Sequence, residues 1–232
     1  MQRWTLLDTA DIPGGEGRMR LLQRGSEFSI KVVNIDLMNS RVRGSEEALA
    51  RLGCAKLDKR ARSRVLIGGL GMGFTLRAAL DLLGPEAQVV VAELVPAIVS
   101  WCRGPLAVLS GNPLADTRVR IHEGDVGRLI RTEPSAYDAI LLDVDNGPDG
   151  LTRRANGSLY DPDGLRAFQR ALRPSGALAV WSAGPDLNFT RRLRKTGFNV
   201  EEIPVRANGK RGARQMIWVA VRSGGAEIKR DM

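Results

Sequence analysis

Cysteine is nearly absent from this sequence. Only Cys54 and Cys102 among 232 residues carry thiols, and no Cys-x-x-Cys spacing occurs. That excludes a disulfide framework and a thiolate metal cluster, and it suits a reducing, cytoplasmic compartment. Histidine is scarcer still: His122 stands alone. A histidine-centred triad or multi-histidine metal site therefore has no material, and no metal is expected. No apolar run approaches the ~20 residues of a membrane span. The segment from Met1 to Trp4 soon meets acids at Asp8 and Asp11 and offers no apolar signal core. At 43% hydrophobic, the chain can still bury roughly 70% of its unfolded surface without a staple.

Charge is present but one-sided, with 35 basic against 26 acidic residues and a net +9. The balance is +3 over residues 1–60, −1 over 61–189 and +7 over 190–232. A basic C-terminal end can attract nucleic acid, an anionic membrane or an acidic partner. No nucleic-acid motif accompanies it, so a solvated basic edge is the favoured reading.

Residues 1–60 read as a β region followed by a short helix. Trp4–Leu7 is a short apolar run, and Pro13-Gly14-Gly15-Glu16-Gly17 is a turn cluster. Met19–Leu22 and Phe28–Val32 flank Arg24-Gly25-Ser26 as a hairpin. Ser45 offers a helix N-cap, with Glu46 and Glu47 suited to the positive end of the helix dipole. From 61 to 223 the pattern becomes strand–helix alternation. Strands are expected at 64–69, 88–94, 119–123, 137–143 and 177–182. Helices are expected near 73–83, 96–109, 125–132, 162–173 and 186–196, with Pro105 breaking the second. Phe198–Val205 and Gln215–Val221 then form a terminal hairpin. This is an α/β pattern with a mostly parallel sheet covered on both faces. Residues 224–232 read as a frayed tail.

The chemistry gathers where strands end. Val65–Gly73 runs from a strand through a glycine-rich turn, Gly68, Gly69, Gly71 and Gly73, toward a helix. Such a turn lets a ligand approach backbone without a Cβ in the way. The spacing is not Gly-x-Gly-x-x-Gly, and no Lys-Ser/Thr follows, so a diphosphate cradle is not indicated. Glu93 ends the next strand about 20 residues on, where an acid can accept both ribose hydroxyls. Asp125 can face an adenine amino group or cap the helix at 126–132, and the two roles are compatible. Asp143 follows Ile140-Leu141-Leu142, so its carboxylate is expected at the sheet edge, as a base or a cation holder. The segment 146–160 suits a mobile lid or an ordinary surface loop. Together these strand ends describe an adenosine pocket, better suited to S-adenosylmethionine or a close relative than to NAD.

The order of elements, with its terminal hairpin, resembles the class I S-adenosylmethionine-dependent transferases, and within them the spermidine-synthase-like family. VLIGGLGMG (65–73) is similar to that family's VLIGGGDGG, and VVVAELVPAIV (89–99) to its strand ending in Glu-Leu-Asp. DTRVRIHEGDVGRLI (116–130) is similar to its Arg-Val…Gly-Asp segment, YDAILLDVDNGP (137–148) to its YDVIIxDxxDP and SEEALARL (45–52) to its YHEMLAHL. The resemblance implies a Rossmann-like sheet with a small N-terminal β region. It also implies aminopropyl transfer from decarboxylated S-adenosylmethionine to a polyamine or related small-molecule amine. By position, the four glycines wrap the methionine-like moiety and ribose, Glu93 holds the ribose, Asp125 faces adenine and Asp143 activates the amine. Tyr160 matches the aromatic member of a Leu-Phe/Tyr pair on the substrate side. The family's second gate-loop aspartate falls on Asn146, with Asp145 beside it as a substitute. Its acid within the glycine turn falls on Leu70 or Met72, and its Tyr-His pair on Ser45-Glu46. Members pair through the N-terminal β region, which implies a homodimer or higher homo-oligomer. Two other readings stand beside this one. A methyltransferase would use S-adenosylmethionine itself and want a cation for its carboxylate, Arg77 being the one nearby. A non-catalytic homologue would keep only nucleoside binding.

Overall fold

The structure, a computed structural model, describes residues 2–14, 17–33, 35–55, 57, 62–144, 157–208 and 211–223. Strands β1 (Thr5–Asp11), β2 (Arg18–Arg24), β3 (Glu27–Val32) and β4 (Ile35–Asn39) form an antiparallel meander in that order. Helix α1 (Gly44–Cys54) follows. Next come β5 (Arg64–Gly68), α2 (Phe74–Leu82), β6 (Gln88–Glu93), α3 (Pro96–Arg103), β7 (Val119–Glu123), α4 (Val126–Thr132) and β8 (Tyr137–Leu142). The remainder is α5 (Gly157–Tyr160), α6 (Pro162–Ala171), β9 (Leu172–Ser182), α7 (Leu187–Lys195), β10 (Phe198–Asn208) and β11 (Arg211–Arg222).

The second sheet has seven strands in the order β10-β11-β9-β8-β5-β6-β7. Pairing from β9 through β7 is parallel, while β11 runs antiparallel to both β9 and β10. Strands covered on both faces need apolar residues at every position, and all six residues of β8 are buried. Their side chains divide by alternation. Val65, Ile67, Leu141 and Ile217 face α1, α2, α3 and the inner side of the meander, whose Met19, Leu21 and Ile30 join that core. Leu66, Ile140, Leu142 and Trp218 face the other way, onto Ile130 of α4, Phe168 of α6 and Leu193 of α7. The indole Nε1 of Trp101 donates to Asp8 Oδ2 at 2.7 Å, tying α3 to the meander.

Three local differences from the sequence pattern have physical causes. Helix α6 stops at Ala171 and the chain enters β9 at once, five residues early. Leu172 pairs with Tyr137, and the register then breaks before Ala177 meets Ala139. That break holds Ser175 at φ 63, while Arg173 bonds Asp138 at 2.7 Å. Helix α3 ends at Arg103, just ahead of Pro105, with the Gly104 amide donating back to Ser100 and Trp101. The fourth meander strand, Ile35–Asn39, was not singled out by the apolar pattern, because its residues are exposed or half-buried. The tail at 224–232, most of the lid segment and both Asp145 and Asn146 lie outside the described residues. Among the described residues no helix is long and apolar enough to cross a membrane.

Candidate active site

The glycine turn and Asp143 are fastened to each other by backbone. Asp143 donates its amide to Gly68 O, and Gly69 donates to Ala92 O, both at 2.9 Å. Gly69 has φ 89, and a Cβ there would lie 2.4 Å from the Asp143 carbonyl oxygen. No other residue type fits that approach. Gly71, at φ 53, meets Met38 of β4, whose Cε would be 2.6 Å from an added Cβ. The meander thus roofs the turn. Of the four glycines expected to wrap a ligand, Gly69 and Gly71 line the cavity described below. Gly68 ends β5 against Leu142 and Val126, and Gly73 directly precedes α2 with φ 81. Both of these shape the turn from behind.

Glu93 stands where β6 emerges and is only 5% exposed. Its Oε2 accepts from the Leu70 amide and its Oε1 from the Val95 amide, both at 2.8 Å. The carboxylate clamps the turn after β5 to the turn after β6. Asp125 caps α4, its Oδ1 accepting from the Gly127 amide at 2.7 Å, and it also lines the cavity.

Asp143 is half-buried, and the Thr75 hydroxyl donates to its Oδ2 at 2.8 Å. Burial pushes its carboxyl up to about 6. Glu46 is 8% exposed, and burial followed by the Asp143 charge pushes it up to about 7. The sequence placed Ser45 as an N-cap and Glu46 as a dipole residue. The helix instead begins at Gly44 after Arg43, with no side-chain cap. Ser45 therefore sits inside the first turn, where its hydroxyl donates to Glu46 Oε2 at 2.6 Å. The family-like segment SEEALARL did put Glu46 at a position of interest, but nothing local to it points at Asp143.

These residues surround a cavity of about 380 Å³. The meander supplies an apolar roof from Ile12, Met19, Ile30, Leu37 and Met38. The charged residues of its described lining are Glu46, Glu93, Asp125 and Asp143, with no lysine, arginine or histidine. Arg77, the cation expected nearest, turns away to Asp81 at 2.5 Å and lines a separate surface cleft with Arg43 and Arg51. Tyr160 is not part of the lining. Its ring packs edge-on to Phe189 at 5.5 Å, in the core beneath the sheet, and its neighbour Leu159 reaches the cavity instead. A helical turn at 157–160 sends adjacent side chains in different directions, which a positional match does not resolve. Sequence reasoning also missed Trp181 and Gln215, which close the far wall.

No family model matches the chain. It is 31% identical over 134 residues to the tRNA 5-methylaminomethyl-2-thiouridine biosynthesis bifunctional protein MnmC of Cupriavidus necator, covering 56% of this chain and 18% of that one. It is 32% identical over 120 residues to polyamine aminopropyltransferase 2 of Pseudomonas aeruginosa, covering 50% of this chain and 32% of that one. The match therefore spans less than a third of the length of either relative. Among solved structures, the spermidine synthase of Thermotoga maritima superposes with a TM-score of 0.75 at 18% identity, over 94% of this chain and 73% of that one. The fold is accordingly the Rossmann-like fold of the spermidine synthases, a mostly parallel sheet closed by an antiparallel hairpin. The sequence resemblance to the spermidine-synthase-like family stands with it, reaching relatives that bear the aminopropyltransferase name.

Proposed function

We propose that this chain is a transferase that moves an aminopropyl group from decarboxylated S-adenosylmethionine to a small amine. The observation that carries the reading is the charge of the cavity: four carboxylates and no cation among its described lining residues. Decarboxylated S-adenosylmethionine brings only positive charge, a sulfonium and an ammonium, and the acceptor arrives as an ammonium. S-adenosylmethionine itself would bring a carboxylate with no described cation to meet it. In this reading Glu93 accepts from the ribose hydroxyls, and Asp125 faces the adenine amino group. Gly69 and Gly71 let the sulfonium and its chain lie against backbone. Asp143 takes a proton from the acceptor ammonium, and Glu46 beside it can share that proton. The freed nitrogen lone pair attacks the methylene carbon next to sulfur. The C–N bond forms as the C–S bond breaks, and the electron pair of the broken bond neutralises the sulfonium, so methylthioadenosine leaves. Holding both reactants in line supplies much of the rate, and a carboxyl raised toward neutrality is suited to proton exchange near pH 7.

Calorimetric titration with decarboxylated S-adenosylmethionine, S-adenosylmethionine and methylthioadenosine tests this. The decarboxylated form should bind about tenfold or more tighter than the carboxylated one, the two differing by one uncompensated charge. Tighter binding of S-adenosylmethionine would replace aminopropyl transfer with methyl transfer. Binding of none would remove the nucleoside assignment of Glu93 and Asp125.

A further inference from the structure

The two helical layers that cover the larger sheet differ sharply in charge. Helices α1, α2 and α3 carry three basic and three acidic residues. Helices α4, α6 and α7, packed side by side on the other face, carry eight basic residues and one acid, Asp163. The terminal hairpin adds to that face. Arg206 stands opposite Arg214, two residues beyond the Pro204–Met216 pair. Alternation puts both on the side of Met216 and Trp218. Like charges directly opposed in a ladder are destabilising, and both residues are exposed. Residues 145–156 and 224–232 each hold two basic and two acidic residues, so neither segment alters the balance.

The acids at these helices are already engaged. Asp125, Asp161 and Asp186 cap them and accept from backbone amides. Asp163 pairs with Arg166, Glu202 with Arg194 and Glu133 with Arg64. Arg128, Arg131, Arg170, Arg191 and Lys195 are exposed and make no ion pair among the described residues. A cation in the last turn complements the helix dipole, which accounts for Arg131, Arg170 and Lys195 but not for Arg128 or Arg191. The surface is suited to a polyanion that asks for no apolar contact. Phe168 and Phe189 are fully buried, and Leu187 is the one large apolar side chain these helices expose among the described residues. A membrane-bound helix needs an apolar face, a protein interface an apolar centre, and a single strand aromatic rings on which its bases stack. A double helix needs none of these. It presents a charge about every 1.7 Å, and three helices about 8–10 Å apart offer roughly 20 Å of surface. Seven of the eight cations are arginine, whose planar fork matches phosphate.

We infer that the face formed by α4, α6 and α7, with the Arg206–Arg214 pair, docks the phosphate backbone of a nucleic-acid duplex. Each of these helices runs back from the carboxyl edge of the sheet, so its last-turn cations lie away from the cavity. Docking is therefore separate from whatever the cavity holds. The test is fluorescence anisotropy of a labelled DNA duplex of about 20 base pairs, titrated with the full chain. Between about 50 and about 200 mM salt the affinity should fall about 10²–10³-fold, as roughly five phosphate contacts require. Arg170→Glu with Arg191→Glu should weaken binding roughly thirtyfold at about 100 mM salt and make the salt slope shallower by about two. A shallower slope is a change that misfolding cannot mimic. Arg51→Glu with Arg103→Glu makes the same charge change on the opposite layer. It should weaken binding less than about threefold, because charges more than ~10 Å from the duplex are screened at that salt. Equal losses from the two double variants would reduce the effect to net charge and overturn the inference. So would tighter binding of a single strand of the same length, displacement of the duplex by phosphatidylglycerol vesicles or polyglutamate, or no duplex binding at the lower salt.

Discussion

The two pairs of carboxylates in the cavity are held in different ways. Glu93 and Asp125 accept from backbone amides, those of Leu70, Val95 and Gly127. Asp143 and Glu46 accept side-chain hydrogen bonds from hydroxyls, those of Thr75 and Ser45, with Glu46 also accepting from its own backbone amide, and burial pushes both carboxyls up. Amide donors are part of the fold and fix a carboxylate in place. Hydroxyls rotate, and each can accept as well as donate. Under the proposed transfer, the first pair would hold the ligand and the second would exchange protons with it, burial having raised the second pair against the pull of its hydroxyl donors.

Asp143→Asn should break the comparison most severely. The amide keeps the size of the side chain but cannot take a proton, so turnover should fall about 10²–10⁴-fold while methylthioadenosine binding stays near that of the unaltered chain. Undiminished turnover would move the base elsewhere and erase the distinction. Glu93→Gln should come next. An amide group offers one accepting oxygen where two backbone donors wait, and an orphaned buried donor costs about 1–3 kcal/mol. Thermal melting should show a drop of several degrees together with weaker nucleoside binding. A loss of binding without a loss of stability would mean that the clamp between the two turns is dispensable.

Glu46→Gln sharpens the comparison with a smaller effect. The Asp143 and Glu46 carboxyls are raised from the usual ~4 range toward about 6 and about 7. The folded chain therefore binds more protons than the unfolded chain between those limits. Their contribution to stability is fully present below about pH 4 and is lost as pH rises to about 7. Replacing Glu46 should flatten that decline and raise the Tm at pH 8 by roughly 2–4 °C. It should also move the acid limb of the turnover profile to lower pH, since Asp143 no longer faces a second negative charge. An unchanged limb would mean that the two carboxyls act independently.

The difference between the pairs also decided what could be read from sequence. Glu93, Asp125 and Asp143 were legible because each closes a strand, and a chain that leaves a buried strand must present its next polar residue at the sheet edge. Glu46 was not, since its partner lies far along the chain and its place in a first helical turn has an ordinary explanation. Trp181 and Gln215 lie on the last strands, where a polar residue looks like any strand end until the neighbouring strand is known. The parallel sheet and its closing hairpin followed from apolar runs at regular spacing. The early start of β9 did not, because Pro174-Ser175-Gly176 reads as a turn, and the segment is drawn into the sheet by pairing with Tyr137 and by the Arg173–Asp138 bond.

The contact between Gly69 and the carbonyl of Asp143 has a genetic consequence. An added methyl at residue 69 strikes the backbone of Asp143 before it meets any ligand. Gly69→Ala and Asp143→Asn should then behave as two alleles of a single lesion, their combination no worse than the more severe one alone. The glycine turn and Asp143 form one heritable unit.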